Sequence, residues 1–473
     1  MTKKFFYLAA AATVLAGCSA LEQTGSEEKS GQRSPQAVGF GAYLNQGVST
    51  KAGHGGILTT SGATYSLQTV GFGVFGYYSD GGLYNESTSK PDFMYNEKVS
   101  YETDHWTYSP IKYWPNEFGA QAISDETDRL SFFAYAPYVE VNNTTGIPAD
   151  AESGIIALSR NTAAGDPYVK YAVSFEPATS VDLCWGVAAT AYSSSVDPST
   201  PNSIQQNWPY IDLWKPAAGE DGYINFNFKH ALAALNVQID AVVDASSSGT
   251  VVDANTKIYV RSVSFEGFTT KGTLNLNSSN TTSETECNPN WGGIAIGSKL
   301  DASPITVYDG RRDGKEALYA ATNESPAGLN ESIIQANAYE RGTIGADYQY
   351  DDARNDSEGV TKDPKNLFKS DTYDDPIFVI PTDETLKVTV VYDVETPDAT
   401  VTSFLSDGET RGTVVENKIS KEITYGTTSE KLQLSAGKKY TLILHLGMQS
   451  VQFDATVADW TEVDPATGYL PIN

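Results

Sequence analysis

The chain has 473 residues, with 59 acidic side chains against 32 basic ones and a net charge of −27. A surface this negative repels nucleic acid and anionic lipid, so neither is an expected partner. At roughly 100–200 residues per domain, the length allows two to four domains with sizeable cores.

Lys3 and Lys4 precede an apolar run, Phe5–Ala16. The run is too short for a membrane-spanning helix, which needs about 20 residues. A basic start, a short apolar middle and small residues at the end form a secretory signal. Leu15-Ala16-Gly17-Cys18 matches all four positions of a bacterial lipobox, so residues 1–17 are expected to be removed and Cys18 to be lipidated. The alternative is a plain signal peptide with an incidental cysteine. Two or more acyl chains, such as palmitate, would hold the mature chain stably on a bilayer.

Residues 18–36 are polar and charged, too poor in apolar surface to order themselves, and read as a flexible tether. Val38, Phe40, Ala42 and Leu44 then alternate with the period of a strand that has one buried face. Gly47, Ser49, Thr50, Lys51, Ala52, Gly53 and Gly55 follow as an exposed loop carrying a basic residue. Leu67–Ser79 reads as a strand although it contains Gly71-Phe72-Gly73-Val74-Phe75-Gly76. A dinucleotide fingerprint needs a helix after those glycines, and Tyr77-Tyr78-Ser79-Asp80-Gly81-Gly82 is a turn instead.

Further strand patterns lie at Thr107–Trp114, Leu130–Tyr135, Tyr168–Phe175 and Asp182–Ala189. Short aromatic and β-branched runs punctuated by Asn, Asp, Gly, Ser and Pro argue for antiparallel sandwiches. The composition changes at Pro216–Gly222, which suggests a first domain over 37–220 and a second over 221–473. The second opens on Tyr223–Asp240, read as a strand with a bulge, with a helical turn over His230–Leu235 as the alternative. Ile258–Phe265 and Gly272–Leu276 resemble a hairpin. The pattern weakens in a decorated insertion near 287–371, with a short helix expected around Asn330–Glu340. Strands return at Ile377–Ile380, Leu386–Tyr392, Lys418–Ile423, Tyr440–Leu446 and Val451–Val457.

Four histidines, His54, His105, His230 and His445, show no zinc spacing with one another, with Cys or with a carboxylate. Asp309–Gly314 and the acidic run near Asp351 lack the ligand alternation of a calcium loop. No nucleophile elbow or phosphate loop is present, so no catalytic residue, metal or cofactor is expected. Beyond Cys18, Cys184 and Cys287 either form one disulfide or stay free, Cys184 then being a buried small hydrophobe between Leu183 and Trp185. The 28 Tyr, 18 Phe and 7 Trp fall mostly in strand patterns, where aromatics fill cores.

A series of segments resembles the fimbrillin family of Bacteroides-type bacteria, in the branch similar to the minor-fimbria major subunit. They are Trp106–Pro115, Phe132–Pro137, Val181–Gly186, Phe228–Ala233, Lys271–Leu276, Phe378–Thr382, Gly437–Leu442 and Val457–Trp460, in that order behind a lipobox. Cys184 stands where an aliphatic residue is usual in the family, and Ala234 where lysine is common. The resemblance implies an all-β chain of two tandem transthyretin-like antiparallel β-sandwich domains behind the signal peptide and tether. It implies export as a lipoprotein to the cell outer membrane, then proteolytic removal of a first strand and donor-strand exchange into a fimbrium (a pilus). The removable strand would be Val38–Leu44. The cut would fall at Lys51, with Arg33 a poorer site because cleavage there leaves the strand in place. The donor would be Val451, Phe453, Ala455 and Val457, unless these form a permanent strand, or the tail with Tyr469, Leu470 and Ile472. Partners would be other fimbrial subunits in a homo- or heteropolymer, with host or bacterial surface ligands for cell adhesion. The alternative function is a glycan-binding monomeric surface lipoprotein.

Overall fold

Strands form where β-branched and aromatic side chains alternate with polar ones, and they end where Gly, Asn, Asp and Pro favour turns. The structure is a computed structural model, and it describes residues 36–44, 58–61, 65–115, 128–149, 152–190, 192–194, 202–215, 223–243, 257–283, 286–292, 305–309, 334–335, 338–340, 365–366, 376–397, 412–423, 431–446 and 451–459. Cys18, Arg33, Lys51, the acidic run near Asp351 and the tail beyond Asp459 lie outside the described residues.

The first strands are β1 (Gly39–Leu44), β2 (Phe72–Ser79), β3 (Met94–Glu102), β4 (His105–Thr107), β5 (Arg129–Ala136), β6 (Gly154–Leu158), β7 (Tyr168–Ala172) and β8 (Cys184–Ala188). Next come β9 (Tyr192–Ser194), β10 (Asn202–Ile204), β11 (Tyr210–Leu213), β12 (Tyr223–His230), β13 (Ala233–Val243), β14 (Lys257–Glu266), β15 (Lys271–Asn275) and β16 (Asn290–Gly292). The remainder are β17 (Ile305–Asp309), β18 (Ile334–Gln335), β19 (Ala338–Glu340), β20 (Lys365–Asn366), β21 (Ile377–Val379), β22 (Lys387–Pro397), β23 (Gly412–Glu422), β24 (Lys438–Leu446) and β25 (Val451–Asp459). A single helical turn, α1 (Leu67–Val70), precedes β2.

The first sheet has the order β1-β12-β8-β5-β2-β3-β4, with β11 paired to β5. Its strands sort their side chains by parity. Phe72, Val74, Phe132, Ala134, Cys184, Phe226 and Phe228 enter one core. Phe75, Tyr77, Phe133, Tyr135, Trp185 and Val187 enter a second core on the opposite face. That second face packs against a sheet of order β16-β15-β7-β6, which supplies Ile155, Leu158, Val169, Tyr171 and Leu274. The first face instead curls on itself, so β1 at one end of the sheet lies against β4 at the other. A third core forms between the sheets β19-β13-β24-β25 and β17-β14-β22-β23, from residues such as Val237, Val263, Val390, Leu442 and Leu444.

Several local expectations change. Tyr223–Asp240 is two strands in different sheets, joined at the buried residues Ala231 and Leu232. β12 completes the first sheet, so the change of sheet falls after His230 rather than at Pro216–Gly222. β14 and β15 are not a hairpin, because β15 pairs with β7 and β14 with β22. The two sheets are not purely antiparallel either: β1 runs parallel to β12, and β13 parallel to β24. Parallel neighbours need long crossovers, and here nearly a whole sheet lies between the paired strands in sequence. Leu67–Val70 is helical rather than strand, and the described residues of Asn330–Glu340 are the short strands β18 and β19 rather than a helix. Strand Thr107–Trp114 stops at Thr107, because Pro110 offers no N–H to a ladder. The aromatics do fill the cores: Trp114, Trp185, Tyr77, Tyr135 and Phe133 are fully buried.

Phe226 stacks on or edges Phe40, Phe72, Tyr210 and Phe228. Truncating it should therefore cost about 3–5 kcal/mol of unfolding free energy, measured by urea denaturation of Phe226→Ala. The same truncation at Val457, which is 37% exposed, should change it by less than about 0.5 kcal/mol.

Candidate functional site

β1 is an edge strand whose two ladders differ in strength. On one side it pairs in parallel with β12 over six residues, from Gly39 opposite Tyr223 to Leu44 opposite Phe228. On the other side, the bonds seen among the described residues hold its two ends. The Val38 amide donates to the Lys112 carbonyl at 2.9 Å, and the Trp114 amide donates to the Gln36 carbonyl at 2.9 Å. The Tyr108 hydroxyl donates to the Val38 carbonyl at 2.8 Å. Burial pushes that phenol up to about 12, which keeps it a donor at neutral pH. At the far end Thr60 clamps Leu44, its hydroxyl accepting from the Leu44 amide at 3.0 Å and donating to the Leu44 carbonyl at 2.7 Å.

The inner face of β1 matches the alternation read from sequence. Val38, Phe40 and Leu44 are buried, and Ala42 packs half-buried against the same core. Phe40 packs its ring against three other aromatic rings. Its ring lies 5.3 Å from Tyr108, 5.7 Å from Phe132 and 6.2 Å from Phe226, centroid to centroid. Burying these four side chains stabilises the fold by on the order of 4–9 kcal/mol as an upper estimate.

The outer face is shaped by two glycines that the alternation alone does not explain. A Cβ on Gly39 would sit 2.4 Å from the Tyr223 ring, and one on Gly41 would sit 2.1 Å from Asn225 Oδ1. Both clashing residues are the direct cross-strand partners. An aromatic lying over a cross-strand glycine covers backbone that glycine leaves bare. β1 thus carries apolar residues on one parity and glycine at two positions of the other.

β25, the segment expected to donate, pairs in register with β24 from Lys438 opposite Asp459 to Leu446 opposite Val451. It is the edge strand of its sheet, and Val457 is partly exposed. In this structure it is a strand of its own sheet.

Away from β1, the structure assembles a group that residue spacing conceals. β8 and β12 pair antiparallel with Cys184 opposite His230, and Asp182 lies two residues before Cys184. His230 Nδ1 is 2.8 Å from Asp182 Oδ2 and 3.5 Å from Cys184 Sγ, and all three residues are buried. Both neighbours meet the same ring nitrogen, so the imidazole does not relay a proton from thiol to carboxylate as a nucleophile's base must. Burial, reinforced by Asp182, also pushes the Cys184 thiol up, away from thiolate. Cys184 and Cys287 do not pair in a disulfide. Asp182 Oδ2 also accepts the Leu58 amide at 3.0 Å.

No family model matches the chain. The fold as a whole is similar to that of a fimbrial protein crystallised from Bacteroides vulgatus, with a TM-score of 0.52 over 90% of this chain and 100% of that one, at 19% identity. In sequence the chain resembles the fimbrium subunit Fim1C of Phocaeicola vulgatus, at 27% identity over 220 residues. That match takes in 45% of this chain and 49% of the relative, so the chain spans about half the length of the curated relative it matches. The likeness to fimbrial subunits carried by the ordered sequence segments thus holds in fold and in sequence.

Gly41→Val should force Asn225 aside or lift β1, at a cost of about 1–3 kcal/mol of β1 docking. Limited proteolysis around residues 36–44 should then be several-fold to a hundredfold faster, and Asn225→Ala in the same chain should restore protection.

Proposed function

We propose that this chain is a structural subunit of a fimbrium, built to exchange its edge strand for a strand of another subunit. The observation that carries the reading is β1 itself. It is an edge strand with a fully apolar inner face, and it is followed in sequence by the basic, glycine-rich stretch around Lys51. The likeness to a fimbrium subunit supports the same role.

In this reading the chain carries two tandem transthyretin-like sandwiches and is exported as a lipoprotein acylated at Cys18, tethered to the outer membrane and exposed at the cell surface. Cleavage at Lys51 releases the anchor and β1 together. The exposed groove presents the unpaired edge of β12 and an apolar slot around Phe132 and Phe226, which an incoming strand fills by β-augmentation. The donor comes from the C-terminal end of a neighbouring subunit, either β25 or the tail beyond Asp459. The work is assembly and adhesion, and no covalent chemistry by this chain is required.

The test is the state of the protein on intact cells of its natural host, by N-terminal sequencing and native mass. Mature chains beginning at Ala52 in high-mass polymers are expected. Lys51→Ala should leave an uncut, monomeric lipoprotein. Wild-type chains that still begin at acylated Cys18 and stay monomeric would overturn the reading.

A further inference from the structure

The Asp182–Cys184–His230 cluster is independent of strand exchange and has no part in it. Its donor atoms all lie within 4.8 Å of one another, on three buried residues. We infer that these side chains form a binding site for a single borderline-soft divalent cation, zinc foremost, which staples β8 to β12 where the chain leaves the first sheet.

The chemistry of the donors selects the ion. One sulfur, one imidazole nitrogen and one carboxylate oxygen are a zinc set, whereas calcium and magnesium take oxygen alone. An aspartate and a thiolate together offset the charge of a divalent ion, so the bound site is neutral inside an apolar core. The geometry is close to what is needed. Zinc bonds of about 2.0 Å to nitrogen and oxygen and 2.3 Å to sulfur, at tetrahedral angles, set the ligand atoms about 3.3–3.5 Å apart. The observed separations from His230 Nδ1 are 3.5 Å to sulfur and 2.8 Å to oxygen. The nitrogen-to-oxygen separation is about half an ångström short of that geometry, and the sulfur and carboxylate lie within 4.8 Å of each other.

Two further observations point into the site. Asp182 Oδ1 is buried and makes no hydrogen bond among the described residues, although its partner oxygen makes two. The Tyr65 hydroxyl is likewise buried without a hydrogen bond among those residues. Burial first, and then the charges of Asp182 and Cys184, raise its titration. The Leu58 amide on Asp182 Oδ2 holds the carboxylate in place, the role that outer hydrogen bonds play at metal sites. Metal binding must displace the thiol proton of Cys184, so affinity rises with pH.

The experiment uses the full chain with Cys18→Ser and Cys287→Ser, which leaves Cys184 as the sole thiol. Titration with cobalt should saturate at one equivalent, with a near-ultraviolet thiolate-to-cobalt band and the visible bands of a tetrahedral ion. Zinc should displace the cobalt and raise the melting temperature. Asp182→Asn should keep the sulfur band and weaken zinc binding by about tenfold or more. Cobalt that keeps the spectrum of the hydrated ion, with no stoichiometric binding at pH 8, would overturn the inference and leave a buried hydrogen-bonded pair. That outcome is read on a chain that keeps Cys184, so it does not depend on the folding of a core variant.

Discussion

A sheet buried on both faces cannot end at an arbitrary strand, because its last ladder and its last apolar row would both face water. In this chain the first sheet meets that constraint with β1. Its alternating Val38, Phe40, Ala42 and Leu44 close the core that contains Phe72, Phe132 and Phe226. Its backbone satisfies the edge of β12, and the glycines at 39 and 41 let Tyr223 and Asn225 lie over its outer side. Apolar burial supplies most of the stabilisation, since parallel edge pairing over six residues adds little by itself. The seal rests on side-chain parity and on small size at positions 39 and 41.

The constraint also organises the middle of the chain. β12 must leave its place beside β1 and hand the chain to β13 in another sheet within two residues, Ala231 and Leu232. Both are fully buried, with the Ala231 amide bonded to the Leu183 carbonyl and the Leu232 carbonyl accepting the Gly437 amide. The Ser180 hydroxyl accepts the Phe378 amide, and Trp291 Nε1 donates to the Ala231 carbonyl. The Asp182–Cys184–His230 cluster lies at this crossing, where β8 begins and β12 ends.

Much of this was legible in the sequence, and the reasons differ by element. β1, β5, β8, β22 and β24 carry clean alternation or dense apolar runs, because each has at least one face in a core. The glycine motif at 71–76 was readable as strand, since no helix former follows it. β3 was not readable. Its pairing with β2 slips between Val74 and Gly76, and Asn96 takes a positive φ of 46°, so its buried residues fall out of period. Loop composition at Pro216–Gly222 marks a break in the chain path, not the sheet to which the next strand belongs, and β12 after it pairs in the first sheet. The supposed β14–β15 hairpin failed for the same reason: adjacency in sequence does not specify a partner when two sheets compete. The Asp–Cys–His cluster was invisible, as it depends on the β8–β12 register across 48 positions between Asp182 and His230.

The central claim is that the β1 slot is a replaceable seal that reads the parity and size of its occupant. The direct measurement is peptide binding to the chain after specific cleavage at Lys51 and release of the N-terminal fragment. A synthetic peptide of residues 36–46 should bind with one-to-one stoichiometry and restore the melting temperature of the uncut protein. The same peptide with valine at both glycine positions should bind at least tenfold more weakly. Equal binding of the two peptides, or a cleaved chain as stable alone as the intact one, would contradict the account.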